Sequence, residues 1–387
     1  MKITFFSNYL NHHQFLFCKA LCELTDGQFR FVADIPIKEE RLKLGYRDMN
    51  RESFVIRSYE DEEQKAEAKR LCLESDVIIH GSAPAEYVDV RLKEGKCVFK
   101  YTERPFKKRI LSYFKEPGKL LSFYQVFGKK QDKPFYVLCA SAFVPTDLKK
   151  FGIREEKFFK FGYFPEVKEQ PDLDALIAKK KKGSILWCGR LIDWKHPEVL
   201  LTVAKNLKKD GFDFHINVIG TGKIEKKIKN LVKRENLTEE ISFLGSMSPE
   251  DVRKYMEESQ IYLFTSDRQE GWGAVLNESM NSACAVVVSN AIGSAPFLIR
   301  DGENGFLYES GNTKELCEKV KTLLLDSEKR VNFGKKAYLT LKDVWNPRTA
   351  AERFVALSGE ILAGKDGRDL FSDGVLSPAP VLKDKEY

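Results

Sequence analysis

Short apolar runs rich in β-branched and aromatic residues alternate along this chain with longer stretches whose apolar residues recur every three or four positions. The first pattern predicts buried strands and the second amphipathic helices. Their regular alternation is how parallel sheets joined by crossover helices read. In the first half the strand runs fall at 3–6, 29–33, 77–80, 97–101 and 136–140, and in the second at 185–188, 214–220, 241–244, 261–265 and 285–289. Helical spacing is clearest at 197–209 and 224–235, and a proline-marked helix is predicted over 347–362. The expected class is α/β, with two doubly wound layers.

A chain of 387 residues is long for one core, which favours two domains of ordinary size. Between the layers lie Pro171-Asp172-Leu173-Asp174 and the run Lys179-Lys180-Lys181-Lys182, which read as a solvated linker. The pattern therefore divides the chain into a first Rossmann-like domain at 1–165, a linker at 166–183, a second Rossmann-like domain at 184–344, and a helix with its tail at 345–387. The tail from Gly364 onward is polar and aperiodic. It is expected to fray in solvent or to lie across the other domain.

Composition is that of a soluble globular protein, with no apolar run of about 18 residues and no signal-peptide pattern at the start. A cytoplasmic location is the expectation. Eight scattered cysteines with no Cys-x-x-Cys pair read as reduced core residues. A net charge of +7 is a mild excess, and its placement matters more than its size. One basic, aromatic-rich stretch runs from Lys100 through Arg104, Lys107-Lys108-Arg109 and Tyr113-Phe114-Lys115 to Lys129-Lys130. Basic residues interleaved with Phe and Tyr suit an anionic membrane surface. Solvated charge over a buried aromatic core explains the same stretch.

Ligands of open parallel sheets bind beyond the carboxyl ends of strands, and in the second half those positions are polar or glycine: Gly189-Arg190, Gly220-Thr221-Gly222, Gly245-Ser246, Thr265-Ser266 and Ser289-Asn290. Arg190 and Lys195, a rigid donor fork and a mobile point charge just before a predicted helix, suit a diphosphate. Surface charge at a helix start explains them equally well. In Glu270-Gly271-Trp272-Gly273-Ala274-Val275-Leu276-Asn277-Glu278 the two glycines place Glu270 on a loop, and Glu278 falls about one turn into the helix that follows. Three other patterns fail. Gly220-Thr221-Gly222-Lys223 lacks the first glycine and the Ser or Thr of a phosphate-binding loop, no complete Gly-x-Gly-x-x-Gly follows a strand, and Asp172-Leu173-Asp174 sits in the linker rather than at a metal site.

Taken in order, Gly189-Arg190 with Lys195, Gly220-Thr221-Gly222, Phe243-Leu244-Gly245, Thr265-Ser266, Glu270 with Glu278, and Gly293-Ser294-Ala295-Pro296 with Asp301-Gly302-Glu303-Asn304-Gly305 resemble the retaining glycosyltransferases of family 4. The resemblance is specific from about Ser184 to Leu325. It implies the GT-B fold: two facing Rossmann-like domains, the first binding an acceptor and the second a sugar nucleotide, with a C-terminal helix crossing back to the first. It also implies transfer of a hexose from a nucleoside diphosphate sugar to a glycan or lipid-linked acceptor, with retention and with no metal or other cofactor, in polysaccharide or glycolipid synthesis. Arg190 and Lys195 would hold the diphosphate and stabilise the charge growing on the leaving nucleotide. Glu270 would bind the sugar hydroxyls, the backbone amides around Gly273 and Ala274 the phosphate, and Glu278 the ribose, with Arg190, Lys195 and Glu270 as candidate catalytic groups and Gly271 and Trp272 also at the donor. Gly189, Gly220 and Gly222 would line the donor, with Gly245, Ser246 and Met247 beside the base.

The first domain departs from the family pattern, with Asn11-His12-His13-Gln14 where relatives carry a glycine pair and no histidine near Thr102-Glu103-Arg104. Phe297 replaces an acid common in relatives. The acceptor-side candidates are Asn11, His13, His80, Glu103 and Arg104, of which His13 and Glu103 are the candidate catalytic groups. Two alternatives stay open: a sugar-nucleotide epimerase of the same fold, and a non-catalytic nucleotide- or nucleic-acid-binding protein. The local charge and the diphosphate motif argue against nucleic acid as a partner.

Overall fold

The computed structural model describes residues 1–383 except 40, 41, 43, 44, 46, 109–112, 114 and 131. Arg109 and Phe114 of the basic stretch, and tail residues 384–387, lie outside the described residues. The chain forms two compact units, one of residues 1–166 with 345–387 and one of residues 167–344.

Unit 1 carries strands β1 (Ile3–Ser7), β2 (Phe29–Ala33), β3 (Val55–Arg57), β4 (Val77–His80), β5 (Val98–Thr102), β6 (Phe135–Cys139) and β7 (Phe158–Lys160). They form one sheet in the order β3-β2-β1-β4-β5-β6-β7, and every pair is parallel. Unit 2 carries β8 (Lys181–Cys188), β9 (His215–Ile219), β10 (Ile241–Gly245), β11 (Ser259–Phe264), β12 (Ala285–Ser289) and β13 (Phe306–Tyr308), in the order β10-β9-β8-β11-β12-β13, again all parallel. Each sheet is buried by helices on its faces, which is why its inner strands read as continuous apolar runs. These are two Rossmann-like layers, as the GT-B class requires. The strands missing from the sequence pattern, β3, β7 and β13, are three-residue edge strands too short to show a period.

The helix Pro347–Leu362, capped by Asn346, belongs to unit 1. Its Phe354 packs edge-on against Phe17 and Phe99, at 6.2 and 5.0 Å between ring centres. Of the two courses expected for the tail beyond it, fraying is the one corrected, and the tail packs on the first unit. Leu376 and Ala379 donate backbone hydrogen bonds to Lys160 and Phe158, and Lys160 donates one back to Ser377. The tail thus lies along β7 and covers an edge that would otherwise expose unpaired backbone groups.

The lysine run requires a second correction. Residues 167–183 are part of unit 2 rather than a solvated linker: Leu173–Ala178 is helical, capped by Asp172, and β8 begins at Lys181. Lys180 is buried. Its ammonium donates to the carbonyls of Met256, Glu257, Ser259 and Ser282 at 3.1, 3.2, 2.9 and 2.8 Å. It thereby ties the carboxyl ends of the helices Pro249–Glu258 and Val275–Asn281, where helix dipoles favour a cation. Burial pushes its pKa below the ordinary lysine value.

Candidate functional site

In unit 2 the strand order reverses between β8 and β11, so the loops leaving those two strands diverge and open a crevice at their carboxyl ends. The β8 loop carries Arg190 and Lys195, and the β11 loop carries Glu270. The topology thus brings three of the predicted site residues to one place.

The β8 loop is backed by glycine. Gly220 has φ +125°, and a Cβ on it would lie 2.0 Å from the Gly189 carbonyl oxygen, so only glycine lets the β9 loop support the Gly189–Arg190 backbone this closely. Gly222 packs likewise against Leu191. These two glycines therefore shape the loop that bears Arg190, and their own contact is with protein. Arg190 is exposed, its guanidinium 5.8 Å from the Trp194 ring centre. Lys195 ends a short 3-10 turn, Asp193–Lys195, and the α-helix begins at Val199 rather than at Pro197.

The Lys195 ammonium lies 2.5 Å from Glu270 Oε2, and both side chains are nearly nine-tenths buried. Ser266 donates to the same carboxylate oxygen at 3.0 Å. The ammonium also faces the rings of Trp194 and Phe264, at 5.0 and 5.5 Å from their centres. The Lys195 carbonyl accepts from Thr265 Oγ1 at 2.6 Å, and that hydroxyl accepts from Trp187 Nε1 at 2.8 Å. An ion pair between two such partly dry groups attracts more strongly than one in water, and an incoming anion would compete with Glu270 for the ammonium.

Gly273 has φ +88°, and a Cβ on it would meet the Phe264 ring at 2.6 Å. The helix that follows, Val275–Asn281, has only two turns. Glu278 is half-buried on its first turn, and burial raises its carboxyl pKa to about 7 against a smaller opposing pull from Arg253. It lies within electrostatic reach of Cys188 at the end of β8 and of Tyr262 in β11. The Trp272 indole is 1% exposed and donates to Asn277 Oδ1 at 2.9 Å. Its side chain holds the loop on the helix and leaves only its backbone for a ligand. Ser246 is exposed and Met247 half-buried in the loop after β10.

The acceptor-side candidates in unit 1 separate into two groups. His13 stacks on Tyr163 at 4.9 Å between ring centres, and the Tyr163 hydroxyl donates to Glu103 Oε1 at 2.5 Å while Lys107 pairs with the other carboxylate oxygen. His13, Tyr163 and Glu103 are all half-buried and therefore open to solvent on one side. The other three are structural. Asn11 caps the helix His12–Leu24, accepting from the His13 amide and donating to Gln14. Arg104 is 1% exposed, forked onto Asp147 at 3.1 and 3.3 Å. His80 is equally buried, its Nε2 donating to the Pro84 carbonyl and its Nδ1 accepting from Lys100. Burial lowers the Lys100 pKa to about 7 and carries that of His80 well below its ordinary value. With Lys100, Arg104 and Lys130 buried, the basic stretch has fewer surface cations than its sequence implies.

Residues 169–340 match the family model of the glycosyl transferases group 1. This segment of the chain belongs to the group 1 glycosyltransferases. An uncharacterized glycosyltransferase of Methanocaldococcus jannaschii is 33% identical over 150 residues, 38% of this chain and 40% of that protein. The N-acetylgalactosamine-N,N'-diacetylbacillosaminyl-diphospho-undecaprenol 4-alpha-N-acetylgalactosaminyltransferase of Campylobacter jejuni is 33% identical over 161 residues, 42% of each chain. The matches thus span less than half the length of these relatives. Among solved structures, Anabaena HepE in complex with UDP superposes with a TM-score of 0.66 at 18% identity, over 94% of this chain and all of that one. Sucrose-phosphate synthase of Thermosynechococcus elongatus gives 0.63 at 14% identity, over 94% and 99%. At such identities the likeness is one of fold. Every donor-side candidate falls inside the glycosyltransferase segment. Ser266 and Thr265, which contact Glu270 and the Lys195 backbone, were visible in sequence as polar residues at a strand end and as part of the family resemblance, with no role of their own.

Proposed function

We propose that this chain transfers a hexose from a nucleoside diphosphate sugar to a glycan or lipid-linked acceptor, with retention and without a metal ion, in synthesis of a cell-surface polysaccharide or glycolipid. The observation that carries the reading is the Lys195–Glu270 pair, a cation and a carboxylate buried together at the switch point of a group 1 glycosyltransferase segment. Donor binding exchanges partners: the diphosphate takes Lys195 and Arg190, and Glu270, held by Ser266, turns to the sugar hydroxyls. As the bond to the anomeric carbon breaks, negative charge grows on the leaving nucleoside diphosphate, and these preplaced cations stabilise it without reorganising. Glu278 accepts from the ribose hydroxyls, the backbone of Gly273 and Ala274 meets the phosphate, and Ser246 and Met247 flank the base. UDP in the Anabaena structure and the diphospho-undecaprenol in the name of the Campylobacter relative support the donor and acceptor classes.

On unit 1 the acceptor-side groups are Glu103 and His13, with Tyr163 orienting the carboxylate. Attraction to an anionic membrane surface at the cytoplasmic face centres on the helix Pro117–Phe127, which exposes Leu121 and Tyr124 next to Lys115, Lys119 and Lys129. Among the described residues no helix is long and apolar enough to cross a membrane.

Calorimetric titration with a panel of nucleoside diphosphate sugars tests the reading. One donor should bind, the double substitution Arg190→Ala/Lys195→Ala should abolish that binding, and Glu270→Gln should sharply lower turnover. Unchanged titration of the double variant would refute the site. Flotation with and without anionic lipid tests the membrane contact, and equal recovery in both would exclude it.

A further inference from the structure

The turn that bears Lys195 is held to the loop that bears Glu270 by a residue outside the donor contacts assigned above. His196 is a non-glycine residue in the left-handed region, with φ +50°, a conformation that persists only where the surrounding structure holds it. Its Nδ1 lies 2.8 Å from Glu198 Oε1 and its Nε2 3.4 Å from Asp267 Oδ2. A neutral imidazole has one N–H. Only the doubly protonated ring donates to both carboxylates.

Asp267 is in turn the organising residue of the β11 loop. Its amide donates to the Trp194 carbonyl at 2.9 Å, its carbonyl accepts from the Glu270 amide at 3.1 Å, and its carboxylate accepts from the Gln269 amide at 2.8 Å. A chain of contacts therefore runs from Lys195 through its neighbour His196 to Asp267 and on to Glu270.

We infer that His196, as the imidazolium, is a positioning residue that pins the turn Asp193–Lys195 to the 267–270 loop and so holds Lys195 and Glu270 at the separation a donor requires. The inference rests on the donor reading above. The groups facing the ring are Glu198, at the start of the helix Val199–Lys209, and Asp267, from the loop after β11. Tyr308 of β13 is within reach of Glu198, but burial raises its hydroxyl pKa, so it stays neutral. Hydrogen bonds to Asp267 and then Glu198 raise the His196 pKa to about 9 against the cost of burial. The sign follows: the clamp is complete at neutral pH and is released as pH rises through about 9.

The test follows the ring and the donor separately. Histidine ring resonances of the full chain are titrated from pH 6 to 10, with the His196 signal identified by its loss in His196→Asn, whose side chain tolerates the left-handed backbone. Binding of the best nucleoside diphosphate sugar is measured at pH 7.5 and pH 9.5 in both proteins. The expected result is a His196 midpoint near 9, lowered in Asp267→Asn. Wild-type affinity should fall several-fold between the two pH values, and His196→Asn should be weaker by about tenfold at pH 7.5 with a smaller alkaline loss. A midpoint near the ordinary histidine value overturns the inference, as does a folded His196→Asn with wild-type affinity and the wild-type alkaline loss. Those outcomes leave the donor reading intact. Failure of the wild-type protein to bind any nucleoside diphosphate sugar overturns the donor reading, and this inference with it.

Discussion

The proposed contact of Glu278 with the donor ribose predicts that donor affinity depends on pH, with a definite sign. Burial raises its carboxyl pKa to about 7, so near neutrality the group is poised between its two forms. Ribose hydroxyls are donors when they meet a carboxylate, and only the ionised form accepts from both. Donor binding should therefore be at full strength above pH 7 and weaken below it. With a pKa of about 7, the ionised fraction is ~90% at pH 8 and ~3% at pH 5.5, which weakens apparent binding by about 30-fold, or ~2 kcal/mol. The ligand should be a sugar nucleotide, since a terminal phosphate titrates near pH ~6 and would add its own dependence. Calorimetry at pH 5.5, 6.5, 7.3 and 8 reads the effect, and the proton released or taken up on binding gives an independent count in buffers of different ionisation enthalpy. Glu278→Gln should bind more weakly at pH 8 and lose the acid limb. A wild-type affinity constant within threefold from pH 5.5 to 8 would refute the assignment of Glu278 to the ribose.

Two predictions concern the scaffold. Replacing Lys180 by Met keeps an unbranched apolar stem but leaves the carbonyl cage without a donor, which should cost about 3–5 kcal/mol; urea unfolding of the full chain measures it, and a loss under about 1 kcal/mol would show that the cage is dispensable. Gly220→Ala forces a Cβ against the Gly189 carbonyl at a positive φ, and should destabilise the chain by at least about 2 kcal/mol and weaken donor binding by displacing Arg190; wild-type values of both by the same unfolding and titration measurements would contradict the packing argument.

The loop and helix that carry the proposed donor residues were legible because local rules place them. Glycine spacing around Trp272 and the place of Glu278 in the helix follow from backbone chemistry within a few residues, and the positions after strands follow from strand periodicity. Buried charge was not legible. Lys180, Lys100 and Arg104 read as surface cations because nothing within several residues of each reveals its partners, which are the carbonyls of two helix ends, the His80 ring and Asp147. The short edge strands were lost for a different reason, since three residues carry no measurable period.

The sequence by itself determined two α/β layers, the order of inner strands along the chain, the loops that carry polar chemistry and the resemblance to a glycosyltransferase family. The layers, strand order and loops depend on periodicity or spacing over a short window, and the resemblance on motifs met in order from about Ser184 to Leu325. Tertiary structure decided which of those polar residues meet. The reversal of strand order between β8 and β11 brings Lys195 to Glu270 across 75 positions of sequence, the Lys180 cage anchors the end of the helix that presents Glu278, and His196 faces a carboxylate from a loop far along the chain. These are long-range contacts between groups whose types are common everywhere in the chain, and only the path of the folded backbone selects the pairs.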